Sequence, residues 1–439
     1  MLESMLNAFR APDIRKRILF VLVVLVIYRA LAHVLIPGIN VAGLNSPGSD
    51  NGFFGLLSLF SGGDVRRMSV VGLGLNPYIN ATIIMQILQS TIPSLQALSR
   101  EGEYGRNKIT SYSRMLSVPL AALQAYGILA FVQSDMLRSS GTQAFTTNFS
   151  FETYQSLTQI LALTVGSVVL MWLGELITEK GIGNGISFII FAGIISRVPS
   201  TVGSFFGSPD WLELFAFGIV GLIIIFVIIF VQEGQRRIPI QYANRVRGHR
   251  IYQGGSTFLP LRVNMAGVIP IIFAISILLF PYQIATYFTA SNVGWVKDFS
   301  AGVISWLNPQ GAFYLSLYFL LTFAFAFFYT FIVFKPDETA NNLRKSGGFI
   351  PGIRPGQPTE DYLRRVALRI TVAGAIFVAS VAVLPMAISA LPMFKNLQAA
   401  GIGVGLGGTS VLIVVSVVVE TMKQLEAQLM MRSYEGFIR

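Results

Sequence analysis

Few residues in this chain could carry covalent or metal chemistry. It has two histidines, His33 and His249, and no cysteine among 439 residues. Disulfides, thiolate metal sites, iron–sulfur clusters and cysteine nucleophiles are removed together. No Ser/His or paired-aspartate constellation of the kind a hydrolase uses is visible. Ionisable residues inside otherwise apolar stretches are limited to Arg29, Glu175 and Glu420. Such residues mark ion or proton paths when they pair near a bilayer midplane. Both glutamates fall near the ends of their stretches, which counts against an ion-coupled transporter of small solutes. A formal GxGxxG at Gly403, Gly405 and Gly408 has no preceding strand and no βαβ unit, so it is not a nucleotide fingerprint. With the run Gly181-Ile182-Gly183-Asn184-Gly185, it reads as tight turns and close helix approach. The chain is expected to be neither an enzyme nor a cofactor or metal binder.

Arginine and isoleucine remain. The cations cluster as Arg236, Arg237, Arg245, Arg247 and Arg250, then as Arg344, Lys345, Arg354, Arg364, Arg365 and Arg369. Membrane topology and attraction to anionic lipid account for clusters at helix ends. They do not account for Arg354, held in Pro351-Gly352-Ile353-Arg354-Pro355-Gly356, a stiff turn far from either neighbouring helix. Arginine on a rigid tip suits a phosphate or carboxylate on a docking partner, either RNA or an acidic protein. Isoleucine pairs recur at i, i+4 as Ile79/Ile83 and Ile186/Ile190. They share a helix face and could gate a pore by dewetting. On composition alone, ordinary membrane-helix packing explains them better.

These residues must be positioned by an all-α integral membrane fold. The chain is 53% hydrophobic and 12% charged, with mean hydropathy +0.64; soluble domains carry about 25% charged residues. Uncharged runs at 68–99, 115–134, 153–174, 181–196, 214–232, 263–296, 299–334, 370–394 and 396–419, with a first span near 18–36, predict ten transmembrane helices. The fifth run is the shortest. Residues 1–17 read as an amphipathic lead-in to a retained first helix. With the N-terminus inside, 25 of the 32 Lys and Arg lie on the inner side and six outside, so both termini are expected to be cytoplasmic. Two inner loops, about 233–262 and 335–369, are longer than most connections and hold 13 of those 25 cations. The chain divides into helices 1–5 (18–204) and helices 6–10 (205–439), five spans each and therefore inverted in topology, as in inverted-repeat folds. Early prolines in the second and seventh helices, Pro77 and Pro270, fit that pairing. The segment 51–80 holds an apolar piece too short to span, followed by Gly62-Gly63-Asp64 and Arg66-Arg67. It reads either as a re-entrant plug or as an outer surface loop.

Six ordered strings then resemble the SecY family of bacterial protein-translocation channels: FSGGDVRRMSVVGLGLNPYINATIIMQIL (60–88), EKGIGNGIS (179–187), GQRRIPIQYANR (234–245), VNMAGVIPIIFA (263–274), GFIPGIRPGQPTEDYL (348–363) and GGTSVLIVVSVVVE (407–420). The resemblance covers essentially the whole chain. It implies a clamshell of two inverted halves around an hourglass pore in the cytoplasmic membrane. It implies a pore ring of Ile79, Ile83, Ile186, Ile190, Ile272 and Ile413. The plug would be about 51–67, with Phe53, Phe54, Leu56, Leu57, Leu59, Phe60, Arg66 and Arg67. Helices 2 and 7 would border a lateral gate near Gln86 and Ser276. Arg236, Arg237, Arg250 and Arg354 would dock the SecA motor or the ribosome. SecE and SecG membrane subunits, signal sequences, nascent chains and anionic lipid complete the implied partners. His249 stands where relatives often carry another basic residue, so the local contact is expected to be weaker or pH-sensitive.

Overall fold

The computed structural model describes residues 12–39, 68–139, 154–196, 198–199, 211–242, 245–247, 250–252, 255–288, 294–308, 311–389 and 408–438. The first part of the chain contains α1 (Pro12–Leu31), α2 (Asn76–Thr91), α3 (Pro93–Arg100), α4 (Glu103–Ser139), α5 (Tyr154–Lys180) and α6 (Gly185–Ile195). The second contains α7 (Trp211–Glu233), a strand-rich excursion β1 (Gln235–Tyr242), β2 (Arg245–Arg247), β3 (Arg250–Tyr252) and β4 (Ser256–Arg262), then α8 (Ile269–Phe288). It continues with α9 (Gly294–Trp306), α10 (Ala312–Val333), α11 (Pro336–Ser346), β5 (Gly348–Phe349), α12 (Gln357–Ser389) and α13 (Gly408–Ile438).

The ten apolar runs read from the sequence overlap, in order, α1, α2, α4, α5, α6, α7, α8, α10, α12 and α13. By length and composition alone, the helices containing α5, α10 and α12 are long and apolar enough to cross a membrane by themselves; α6 has only 11 residues. Several helices are apolar on both faces, as a bilayer requires. In α1, Val21, Val24 and Tyr28 are buried while Leu19, Leu22 and Val26 stay exposed.

Two boundaries differ from the hydropathy reading. Residues 68–75 form consecutive turns, and α2 starts only at Asn76, because Gly74 at φ +62° and Met68 at φ +48° take left-handed conformations that a helix cannot contain. α8 runs through Pro281, a residue whose position in the run leads one to expect it near the end of that helix, and continues to Phe288. The long run 299–334 holds the break that its length and Asn308-Pro309 lead one to expect, with α9 before it and α10 after it.

The halves meet along two zones. α6 packs on α13 at one, and α8 packs on α2 and α4 at the other. Within the halves, α5 contacts α1, α4 and α6, while α12 contacts α10, α11 and α13. One large apolar cluster runs through both halves and contains residues of α1, α2, α5, α6, α7, α8, α10, α12 and α13.

The two long loops expected on the inner side contain folded structure. β1 and β4 form an antiparallel hairpin with Gln235 opposite Arg262 and Gln241 opposite Ser256. The other edge of β1 pairs with β5 through Gln241–Phe349 and Tyr242–Gly348, giving the strand order β4-β1-β5. Pro239 is tolerated because β5 reaches only the last two residues of β1, leaving the edge open where the proline lacks an N–H. Alternation along β1 buries Ile238 and Ile240 and exposes Arg237 and Pro239. Under the sheet lies a small separate core of Ile238, Leu261, Ala340, Ile350, Leu363 and Val366. α11 delivers β5 to that sheet. Pro336 lies in its first turn with Asp337 and Glu338, Arg344 and Lys345 lie in its last, and Gly347 closes it at φ +74°. This charge order complements the helix dipole, and the left-handed glycine turns the chain into the strand.

Candidate functional site

Five of the six isoleucines expected to form a ring are buried in the same apolar cluster. Ile79, Ile83, Ile190, Ile272 and Ile413 are all at most 8% exposed and belong to the one apolar cluster, supplied by α2, α6, α8 and α13. Ile186 packs against the same cluster but is half-buried. Its Cγ1 lies 3.4 Å from where a Cβ on Gly174 would stand, so it leans toward α5. The arrangement offers saturated hydrocarbon from four helices and both halves, with neither a charge nor a hydrogen-bonding group among the six.

The short α6 is held by its glycine-rich lead-in. The Asn184 side-chain oxygen accepts from the amides of Ile186 at 3.0 Å and Ser187 at 3.3 Å, capping the helix. The Gly185 amide donates to Thr178 Oγ1 at 2.9 Å. A Cβ on Gly185 would sit 1.9 Å from the Gly174 carbonyl oxygen, so α6 can approach α5 only with glycine there. Gly183 takes φ +80°. The reading of this string as tight turns and close helix approach holds. The second glycine string lies outside the described residues except for Gly408, and so does the whole plug segment with Phe53, Phe54, Leu56, Leu57, Leu59, Phe60, Arg66 and Arg67.

Gln86 and Ser276 lie on α2 and α8, the helices that meet across the halves, and both are half-buried. The Gln86 side-chain oxygen is buried without a hydrogen-bond partner among the described residues. Gln86 lines a polar cleft of about 410 Å³ with Gln89, Ser90 and Arg106 from one half and Phe331 and Lys335 from the other.

Of the arginines expected to dock a partner, Arg236 and Arg237 project exposed from β1. Arg250 is on β3, across from Arg247. Arg354 is exposed at the tip of its turn, which is fixed from behind. The Ile353 amide donates to the Ile350 carbonyl at 3.0 Å, and Thr359 Oγ1 donates to the Arg354 carbonyl at 2.8 Å. Ile350 and Ile353 pack into the core beneath the sheet. Arg236, Arg237 and Arg354 therefore share one small folded unit, although more than a hundred residues separate β1 from the turn. The alternation of Ile238 and Ile240 with Arg237, Pro239 and Gln241 was the available signal for it.

The ionisable residues read as being at membrane depth are engaged or peripheral. Glu175 accepts from Arg114 Nε at 2.6 Å, with side chains 23% and 47% exposed. Glu420 is exposed on α13. Nearby, Glu233 pairs with Lys423 at 2.9 Å and Gln232 donates to Ser416 Oγ, tying α7 to α13. Among the described residues, no three His, Asp or Glu side chains are grouped to hold a metal ion.

The SecY family model matches residues 69–422. The protein translocase subunit SecY of Streptomyces scabiei is 42% identical, and that of Streptomyces galbus 43%, each over the full length of both chains. The same subunit of Mycobacterium tuberculosis (strain H37Rv) is 42% identical, again over both full lengths. Among solved structures, one described as a protein conducting channel superposes with TM-score 0.63 at 19% identity, covering 93% of this chain and 91% of that one. A SecY structure in which the plug domain stabilises the closed channel gives TM-score 0.61 at 20% identity, and Sec61 from a canine ribosome–channel complex gives 0.59 at 18%. The fold is thus the two-halved clamshell of helices seen in these channels, and the chain belongs to the SecY family.

Proposed function

We propose that this membrane protein is the protein-conducting subunit of a Sec translocase, passing unfolded polypeptides across the cytoplasmic membrane and releasing apolar helices sideways into it. The observation that supports the reading is the burial of isoleucines from α2, α6, α8 and α13 in one apolar cluster, in a chain of this family. A ring of branched hydrocarbon has no group that selects one substrate side chain over another, and it dewets when empty, which restrains ions. Segment 51–67 acts as the plug on the outer side. α2 and α8, with Gln86 and Ser276 between them, form the lateral gate through which a signal sequence leaves. Such a helix is apolar. At about 25 cal/mol per Å² of apolar area, a dozen side chains moving into lipid yield on the order of ten or more kcal/mol before entropy costs, which offsets separation of α2 from α8.

The sheet unit supports docking. Arg236, Arg237 and Arg354 face the cytoplasm on a folded platform, with Arg250 on the neighbouring hairpin, and present fixed guanidinium groups to the SecA motor or the ribosome. SecE and SecG are the membrane partners, anionic lipid covers the inner leaflet, and both termini are cytoplasmic. An ion-coupled solute transporter is not favoured, because Glu175 and Glu233 are paired with Arg114 and Lys423 and Glu420 is exposed on α13. The test is reconstitution of the native complex in liposomes with motor ATPase, ATP and a presecretory polypeptide. Protease-protected polypeptide inside the vesicles is expected. Its absence, with ion-driven uptake of a small solute in its place, would overturn the reading.

A further inference from the structure

The two halves position α2 and α8 with the same device. The chain reads Val70-x3-Gly74-x2-Pro77-x-Ile79 before and into α2, and Val263-x3-Gly267-x2-Pro270-x-Ile272 before and into α8. Both helices begin six residues after the valine. Gly74 and Gly267 take nearly the same left-handed conformation, φ +62° and +65°. The Val70 amide donates to the carbonyl of Val34, just past the end of α1, at 2.9 Å. The Val263 amide donates to the carbonyl of Gly234, just past the end of α7, also at 2.9 Å. Each valine carbonyl then rests on a glycine of a long helix in its own half. A Cβ on Gly166 of α5 would lie 2.0 Å from the Val70 oxygen, and a Cβ on Gly374 of α12 would lie 2.3 Å from the Val263 oxygen. In the first half, the buried Ser167 hydroxyl also donates to the Gly74 carbonyl at 3.1 Å. Ile79 and Ile272, the isoleucines at matching places, are equally buried, each only 8% exposed.

The geometry points to Gly166 and Gly374 as a matched pair of positioning residues, seats that set the depth and rotation of α2 and α8 and thereby bring Ile79 and Ile272 to the same constriction. The inference rests on the ring reading given under Proposed function. Irregular backbone at membrane depth survives only when buried in protein, and residues 68–75 are buried almost throughout. A methyl group at either seat meets main-chain oxygen, which cannot swing aside as a side chain would. Ordinary contact begins near 3.4 Å, so the valine backbone must retreat by more than 1 Å, and the first turn of α2 or α8 moves with it.

The chain has no native cysteine, so Ile79→Cys and Ile272→Cys each give a single reporter. In the reconstituted complex, we expect Gly166→Ala to change the rate at which a membrane-impermeant maleimide modifies the cysteine at 79 by threefold or more. Gly374→Ala should do the same for the cysteine at 272. Gly218→Ala on α7, where nothing lies within 4 Å of the new methyl, is the control and should change neither rate. Ser167→Ala adds no bulk and keeps the test alive if Gly166→Ala fails to assemble; it should shift labelling at 79 in the same direction, by less. Channel leak, measured with the ring isoleucines intact, separates the two readings. Altered labelling with increased leak supports both seat and seal. Altered labelling with unchanged leak supports the seats and overturns the ring reading. Unaltered labelling at both positions overturns the seats.

Discussion

Truncating Leu363 to alanine should disable docking while leaving the seal intact. Leu363 is fully buried, at 0% exposure, in a core of six residues that is separate from the large membrane cluster. Deleting a buried leucine side chain in this way costs about 3 kcal/mol, the low end of what such truncations produce. A core this small has few neighbours to refill the space, so the loss falls on the sheet unit. At 1.4 kcal/mol per tenfold, its open population rises roughly a hundredfold. Amide hydrogen exchange in detergent or nanodiscs reads this directly. The amides of β1 and β4 should exchange about a hundredfold faster, while those of α5 and α8 keep wild-type rates. SecA-driven transport should fall several-fold, and ion leak should stay at the wild-type level. Unchanged exchange in the strands would refute the claim that this core holds the platform. A rise in leak with normal transport would refute the separation of platform from pore.

Two further outcomes follow from individual side chains. Arg354→Glu keeps the Ile350 and Thr359 contacts that shape the turn, so thermal stability should match the wild type within about 0.5 kcal/mol, as for other surface changes; proteoliposome transport driven by the motor should fall sharply, and normal transport would remove Arg354 from the docking surface. Asn184→Ala removes two cap hydrogen bonds from an 11-residue helix and should cost about 1 kcal/mol, seen as a lower melting temperature and faster exchange at Ile186 and Ser187; unchanged exchange there would mean the cap does not hold α6.

Composition and hydropathy made the membrane class, the ten apolar runs and the inner bias of charge legible. Each run needs only enough hydrocarbon to satisfy the bilayer, a requirement readable from local sequence. The irregular lead-in to α2 was not readable in that way, since Met68 to Leu75 are apolar enough to pass for helix. Their turns are set by Gly74 and by contacts with α5. The sheet was missed for a related reason. β1 carries a central proline and is completed by β5, two residues long and more than a hundred positions away. The ring presents the sharpest case, because isoleucine is unremarkable in any membrane helix. Composition favoured ordinary packing, and only the family strings singled out Ile79, Ile83, Ile190, Ile272 and Ile413. Their shared cluster is a tertiary property of four helices, which no single segment encodes.

The central claim is that these isoleucines form the seal of the channel. Ion conductance across planar bilayers holding the purified complex, comparing wild type with Ile83→Ser and Ile272→Asn, tests it most directly. The account predicts a low basal conductance that rises in both variants, together with export of substrates whose signal sequences are defective. Conductance and signal stringency indistinguishable from wild type in both variants would contradict it.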